Sequence, residues 1–124
     1  MSMRVAILGV LVTCGCIRAP APQLASDYAR RADSLASLDP VRELQAAIRR
    51  GDLRPIGVCG YACMPVGVDS GDYSIVDGRH LNTIEGTTDA PPNRDAERLN
   101  EVAATYAGAY NRLLVAYLRD HRGP

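Results

Sequence analysis

The chain has 124 residues, with 14 basic and 14 acidic side chains, so its formal charge at pH 7 is zero. All the basic side chains apart from two histidines are arginine, and they are scattered rather than gathered in a stripe, which leaves nucleic acid without an electrostatic footprint. With no tryptophan or phenylalanine, one domain of this size builds a modest core from Leu, Val, Ile, Ala and Tyr.

The N-terminus is the most informative stretch. Arg4 precedes an unbroken apolar run, Val5 to Val12, and Thr13-Cys14-Gly15-Cys16 closes it with small residues and cysteine. As a helix, eight to twelve residues span only about 12–18 Å, against a bilayer core of roughly 30 Å. The run is too short to cross a membrane, and its order of positive, apolar and small residues predicts a secretory signal peptide.

The end of that run resembles the lipobox of bacterial lipoproteins, in which a small residue precedes a cysteine that is acylated and becomes the new N-terminus. Cys16 follows the preferred Gly15 but has Thr13 at the aliphatic position. Cys14 has Leu11 and Val12 correctly placed but follows Thr13. The residue beside the cleaved bond is the most restricted in size, so Cys16 is assigned as the lipidation site, with Cys14 the alternative. The resemblance implies acyl chains on the cysteine's sulfur and amine, and two or more chains anchor a protein stably. Neither cysteine is followed by Asp, which by the same resemblance implies the periplasmic side of the outer membrane rather than the cytoplasmic membrane. The expected organisation is a signal peptide over 1–15, an acylated cysteine with a Pro/Ala tether over 16–23, and a single small domain over 24–122.

In that domain Leu24, Tyr28, Ala32 and Leu35 recur at helical spacing, and Asp27 can pair with Arg30 or Arg31. Asp39-Pro40 marks the start of a second helix, with a stripe of Val41, Leu44, Ala47 and Ile48. Arg49 and Arg50 complement its C-terminal dipole, and Gly51 ends it. The two helices are expected to form a hairpin.

Leu53 to Tyr61 reads as a strand that begins at Pro55 or lies at an edge, because proline cannot donate to a ladder. Ala62 to Gly71 reads as loop. Tyr73–Val76 and Arg79–Glu85 read as two short strands joined by a type I′ turn at Asp77-Gly78. Asn93 caps a final helix whose apolar positions, Leu99, Val102, Ala103, Tyr106, Tyr110, Leu113, Leu114 and Tyr117, repeat at three and four. At 26–28 residues it runs about 40 Å and is expected to overhang its domain by a turn. Ala104 and Gly108 form a small-residue strip where a partner's backbone could approach. The predicted fold is α+β: an N-terminal helical hairpin, a small antiparallel sheet of two or three strands, and a long C-terminal amphipathic helix.

Chemistry-bearing residues are few. Cys59 and Cys63 are expected to pair in an exported protein. Four residues of straight strand would hold their Cα atoms about 13 Å apart, whereas a disulfide needs about 4.4–6.8 Å, so the chain must turn at Gly60-Tyr61-Ala62. The alternative is soft-metal or redox chemistry. Cys59-Gly60-Tyr61-Ala62-Cys63-Met64-Pro65 resembles the C-x-x-x-C-P motif of copper-assembly chaperones, which implies Cys59 and Cys63 as copper ligands; the thioether of Met64 suits the same soft ion, and His80 or His121 could supply a further donor, although no spacing supports either. Met64 departs from the motif by standing before the proline.

Asp69, Asp72, Asp77, Glu85 and Asp89 cluster in the central region, but aspartate beside glycine is also what turns require. There is no G-x-S-x-G, H-E-x-x-H or phosphate-binding glycine loop. No catalytic residue is therefore assigned. The expectation is a membrane-anchored envelope lipoprotein acting as a non-catalytic interaction or assembly module, with an envelope protein as partner and no cofactor. A periplasmic copper-binding or thiol-redox protein is the alternative.

Overall fold

The computed structural model describes residues 21–60, 62–88 and 93–121, with backbone alone over 21–26. Its elements are α1 (Ala21–Ala36), α2 (Pro40–Arg50), β1 (Ile56–Cys59), β2 (Cys63–Pro65), a 3-10 turn at Ser70–Asp72, α3 (Tyr73–Val76), β3 (Asn82–Glu85) and α4 (Arg94–Asp120). The fold is α+β, as the periodicities predict.

The three strands lie in the order β2-β1-β3. β2 pairs with β1 antiparallel, placing Cys59 opposite Cys63, whereas β3 pairs with β1 in parallel, Ile56 opposite Asn82 through Cys59 opposite Glu85. The sheet is thus mixed rather than wholly antiparallel. A parallel neighbour requires a long crossover, and residues 60–81 supply it. Within that crossover the expected hairpin does not form. Tyr73–Val76 continues the 3-10 turn as a single helical turn that buries Val76, and Asp77-Gly78 follows it, with Gly78 at φ +80°. Cys63–Pro65, read as loop, is the second strand.

α4 is the spine. Asn93 caps it through a side-chain bond from the Ala96 amide at 3.1 Å, and the buried positions run from Ala96 to Leu118. Both ends are covered, so α4 does not overhang the domain. Its buried face is also wider than the predicted stripe, taking in Ala107, Gly108, Asn111 and Val115.

α1 and α2 each pack principally on α4. The short link Ser37–Asp39 joins them as expected, but they are splayed across the spine rather than pressed together as a hairpin. α1 starts at Ala21, three residues before the predicted boundary, because Pro22 in a first turn loses no helical hydrogen bond. Among its described side chains Ala32 is the buried one, and Arg30 pairs with Asp27 on the solvent side. α2 follows its sequence signals: Asp39 accepts from the Val41 amide at 3.0 Å, Pro40 opens the helix, and Gly51 closes it at φ +73°. Val41, however, is 48% exposed rather than part of the buried stripe. It sits in the first turn, while Leu44 and Ala47 reach the core.

Two asparagines of α4 hold the sheet. The amide of buried Asn111 accepts from the Ile56 N–H at 2.7 Å and donates to the carbonyls of Ile56 at 2.7 Å and Val66 at 2.8 Å. Eleven residues earlier, hence on nearly the same face, Asn100 accepts from the Thr87 N–H and donates to the Thr87 carbonyl, both at 2.8 Å. Each side chain reproduces the paired donor and acceptor of a neighbouring strand. Asn111 does so where β1 enters the core beside buried Pro55, and Asn100 does so just past the end of β3.

Candidate functional site

Cys14 and Cys16 lie outside the described residues, as do the tether residues before Ala21. The first predicted pair within the structure is Cys59 and Cys63, which form a disulfide with Cα atoms 4.0 Å apart. The bridge closes across the β1–β2 register, and the Gly60 N–H donates to the Ala62 carbonyl at 3.2 Å inside the loop it closes. Cys59 is half-buried and its carbonyl accepts from the Gly86 N–H at 2.7 Å, while Cys63 is exposed at the sheet edge. Beside the bridge is a polar recess of about 610 Å³, with Tyr28, Thr83, Glu85 and Thr88 among its walls.

The sulfurs are bonded to one another, and Met64 is 58% exposed on the same edge strand. Among the described residues, no three His, Cys, Asp or Glu side chains converge on a common metal position. His121 is taken up by Tyr117, stacking on its ring at 4.0 Å and meeting its carbonyl at 2.9 Å. His80 is exposed in the α3–β3 connection.

The carboxylates of the central region do not form a pair for acid–base work either. Asp72 is engaged by Arg119, and Asp69 and Asp77 flank the short helical turns. Asp89 lies outside the described residues. A different carboxylate has the strongest surroundings: Asp52, just past α2, receives Arg54 Nε at 2.8 Å and Asn82 Nδ2 at 3.2 Å. The Arg54 hydrogen bond, joined by that of Asn82, holds its carboxyl down to about 2, and the same bond raises the Arg54 guanidinium.

Gly108 meets a neighbour within its own domain. A Cβ on Gly67, itself at φ +74°, would stand 2.7 Å from the Gly108 Cα and 2.9 Å from its carbonyl oxygen. The loop after β2 therefore occupies that part of the predicted strip, while Ala104, one turn earlier, is half-buried.

The splay of α1 and α2 opens a cleft that the sequence pattern does not reveal. On one side of Leu38 a recess of about 360 Å³ is walled by Leu35, Pro40, Val102, Tyr106 and Ala109, with Glu101 at its edge. On the other side a smaller recess of about 200 Å³ shares Leu35, Leu38 and Tyr106 and adds Glu43, Arg50, Asn82 and Tyr110. Burial, reinforced by the negative charge of Glu43, pushes the Tyr106 phenol up to about 12, and burial raises Tyr110 as well. Both hydroxyls are therefore neutral donors at physiological pH. The signal available in the sequence is the Tyr106–Tyr110 spacing, one turn apart on α4, which fits a core stripe equally well.

No family model matches the chain, and no curated protein or solved structure matches it.

Proposed function

We propose that the protein is a lipid-anchored component of the bacterial cell envelope, exported by residues 1–15, acylated at Cys16 and acting as a non-catalytic interaction module. The reading is carried by the apolar run ending in Gly15-Cys16, too short to span a bilayer and followed at once by proline-rich chain. The Cys59–Cys63 disulfide supports it, because such bonds persist in oxidising compartments. No described helix is long and apolar enough to cross a membrane. Between Cys16 and the start of α1 at Ala21 the chain reaches at most about 18 Å, which keeps the domain close to the lipid surface.

Labelling a bacterium expressing the full chain with radioactive palmitate tests the anchor. Label should enter the wild type, persist in Cys14→Ser and vanish in Cys16→Ser; an unlabelled wild type retaining Met1 in the cytosol defeats the reading. Exposure of Cys63 and Met64 on one edge strand favours copper or thiol exchange as the second reading, which requires the disulfide to open first. Titrating the reduced protein with Cu(I) under anaerobic conditions decides it: stoichiometric, tight binding lost in Cys63→Ser would replace the interaction module with a metal carrier.

A further inference from the structure

The two recesses share Leu35, Leu38 and Tyr106 as common walls. The larger is lined by aliphatic carbon from Leu35, Val102 and Ala109, and its volume of about 360 Å³ lies within the range of small-molecule sites, roughly 300–1,000 Å³. The larger also has Glu101 and Thr105 among its walls, whereas the charges of the smaller come as one of each sign. Glu43 and Arg50 stand seven residues apart on α2, two helical turns, and both border this recess. Tyr106 belongs to both recesses, and its hydroxyl stays protonated.

The state of Arg50 decides which head group fits. Asp52 is already held by Arg54 at 2.8 Å and by Asn82, and Arg50 approaches it only to 4.0 Å with its side chain 63% exposed. The guanidinium therefore keeps donors free for an oxyanion. An isolated carboxylate there would gain Arg50 but face Glu43, and an isolated ammonium would meet the reverse. A head bearing both charges satisfies both ends of the recess, phosphate toward Arg50 and ammonium toward Glu43.

We propose that this cleft binds a single-chain zwitterionic lipid, its acyl chain between Leu35, Val102 and Ala109 and its head between Arg50 and Glu43. The site concerns a bound ligand and does not rest on the covalent anchor.

The test uses the full chain carrying Cys14→Ser and Cys16→Ser, so that no acyl group of its own competes. Calorimetry with twelve-carbon lysophosphatidylethanolamine, below its micelle concentration, should give one saturable site. Laurate and dodecyltrimethylammonium should bind about tenfold more weakly, since each leaves one rim charge unmatched. Arg50→Gln should remove that preference over the ammonium amphiphile, and Ala109→Leu, which fills the aliphatic recess, should weaken all three ligands at least tenfold. Leu38→Glu, at a position 37% exposed, should weaken them comparably and serves if Ala109→Leu fails to fold. Equal affinity for the three heads, no saturable binding, or wild-type affinity in a folded Ala109→Leu or Leu38→Glu variant would overturn the proposal.

Discussion

Two clasps hold the small sheet, and they differ in every physical respect. At the open end of β1 the Cys59–Cys63 disulfide is covalent, local in sequence and partly exposed. At the inner end Asn111 is non-covalent, fully buried, and spans 55 residues of chain to reach Ile56. Intuition ranks the covalent clasp first, but the physics ranks it second. A five-residue loop has little closure entropy to remove, so its bridge stabilises by only about 2 kcal/mol. Asn111 satisfies three backbone groups, the buried N–H and carbonyl of Ile56 and the part-buried carbonyl of Val66, and a buried group left orphaned costs about 1–3 kcal/mol. What a clasp is worth depends on what its loss leaves unsatisfied.

Asn111→Leu is the sharpest test of that ranking. It keeps the branched four-atom shape of the side chain, although leucine is bulkier, while stranding the Ile56 N–H and the carbonyls of Ile56 and Val66. We expect a loss of about 3–5 kcal/mol, which for a domain of this size lowers Tm by at least 12 °C. Thermal unfolding followed by circular dichroism reads it. A drop smaller than that caused by breaking the disulfide would reverse the comparison.

Gly67→Ala should come next, at about 2–3 kcal/mol. The new Cβ would fall 2.7 Å from the Gly108 Cα, a backbone atom of the spine that cannot swing aside, and φ +74° is unfavourable for any L side chain. Reducing the disulfide, or replacing both cysteines with serine, should cost about 2 kcal/mol and leave far-UV dichroism native, because Asn111 still holds Val66 beyond β2. Loss of the helical signal on reduction would show that the exposed clasp, not the buried one, carries the fold.

Much of this architecture could be read from residues whose preferences are local. Asp39-Pro40 and Gly51 bracket α2, Asn93 caps α4, and the four-residue spacing from Cys59 to Cys63 demands the turn that forms the β1–β2 connection. Apart from the exposed Val41 and the earlier start of α1, the failures are long-range. Nothing near Tyr73–Val76 announces that β3 will join β1 in parallel, and Asp77-Gly78 suits a helix exit as well as a hairpin. Asn100 and Asn111 look like polar interruptions of an amphipathic stripe until the strand end and loop they complete are in place. The same holds for the candidate site. The cysteine pair was visible as a pair, whereas the cleft exists only because α1 and α2 both prefer α4 to each other.

The smallest effect concerns acid. The Asp52 carboxyl is more acidic in the folded chain, at about 2, than the 3.8 of a free side chain, because Arg54 and Asn82 donate to its ionised form. The unfolded chain thus takes up this proton first as pH falls. The stabilisation from Asp52 is complete above about pH 4 and disappears between there and pH 2. Because Arg54 is solvent-exposed, screening keeps the effect small and salt-dependent. Asp52→Asn should flatten the acid limb of a stability–pH profile between pH 4 and 2 without touching the alkaline limb. There Tyr106 acts with the opposite sense: its phenol, raised to about 12, contributes below pH 10 and loses that contribution as pH rises toward 12. If Asp52→Asn instead lowers stability as much as Asn111→Leu does, this surface cluster is a third clasp, and burial is not what sets the order.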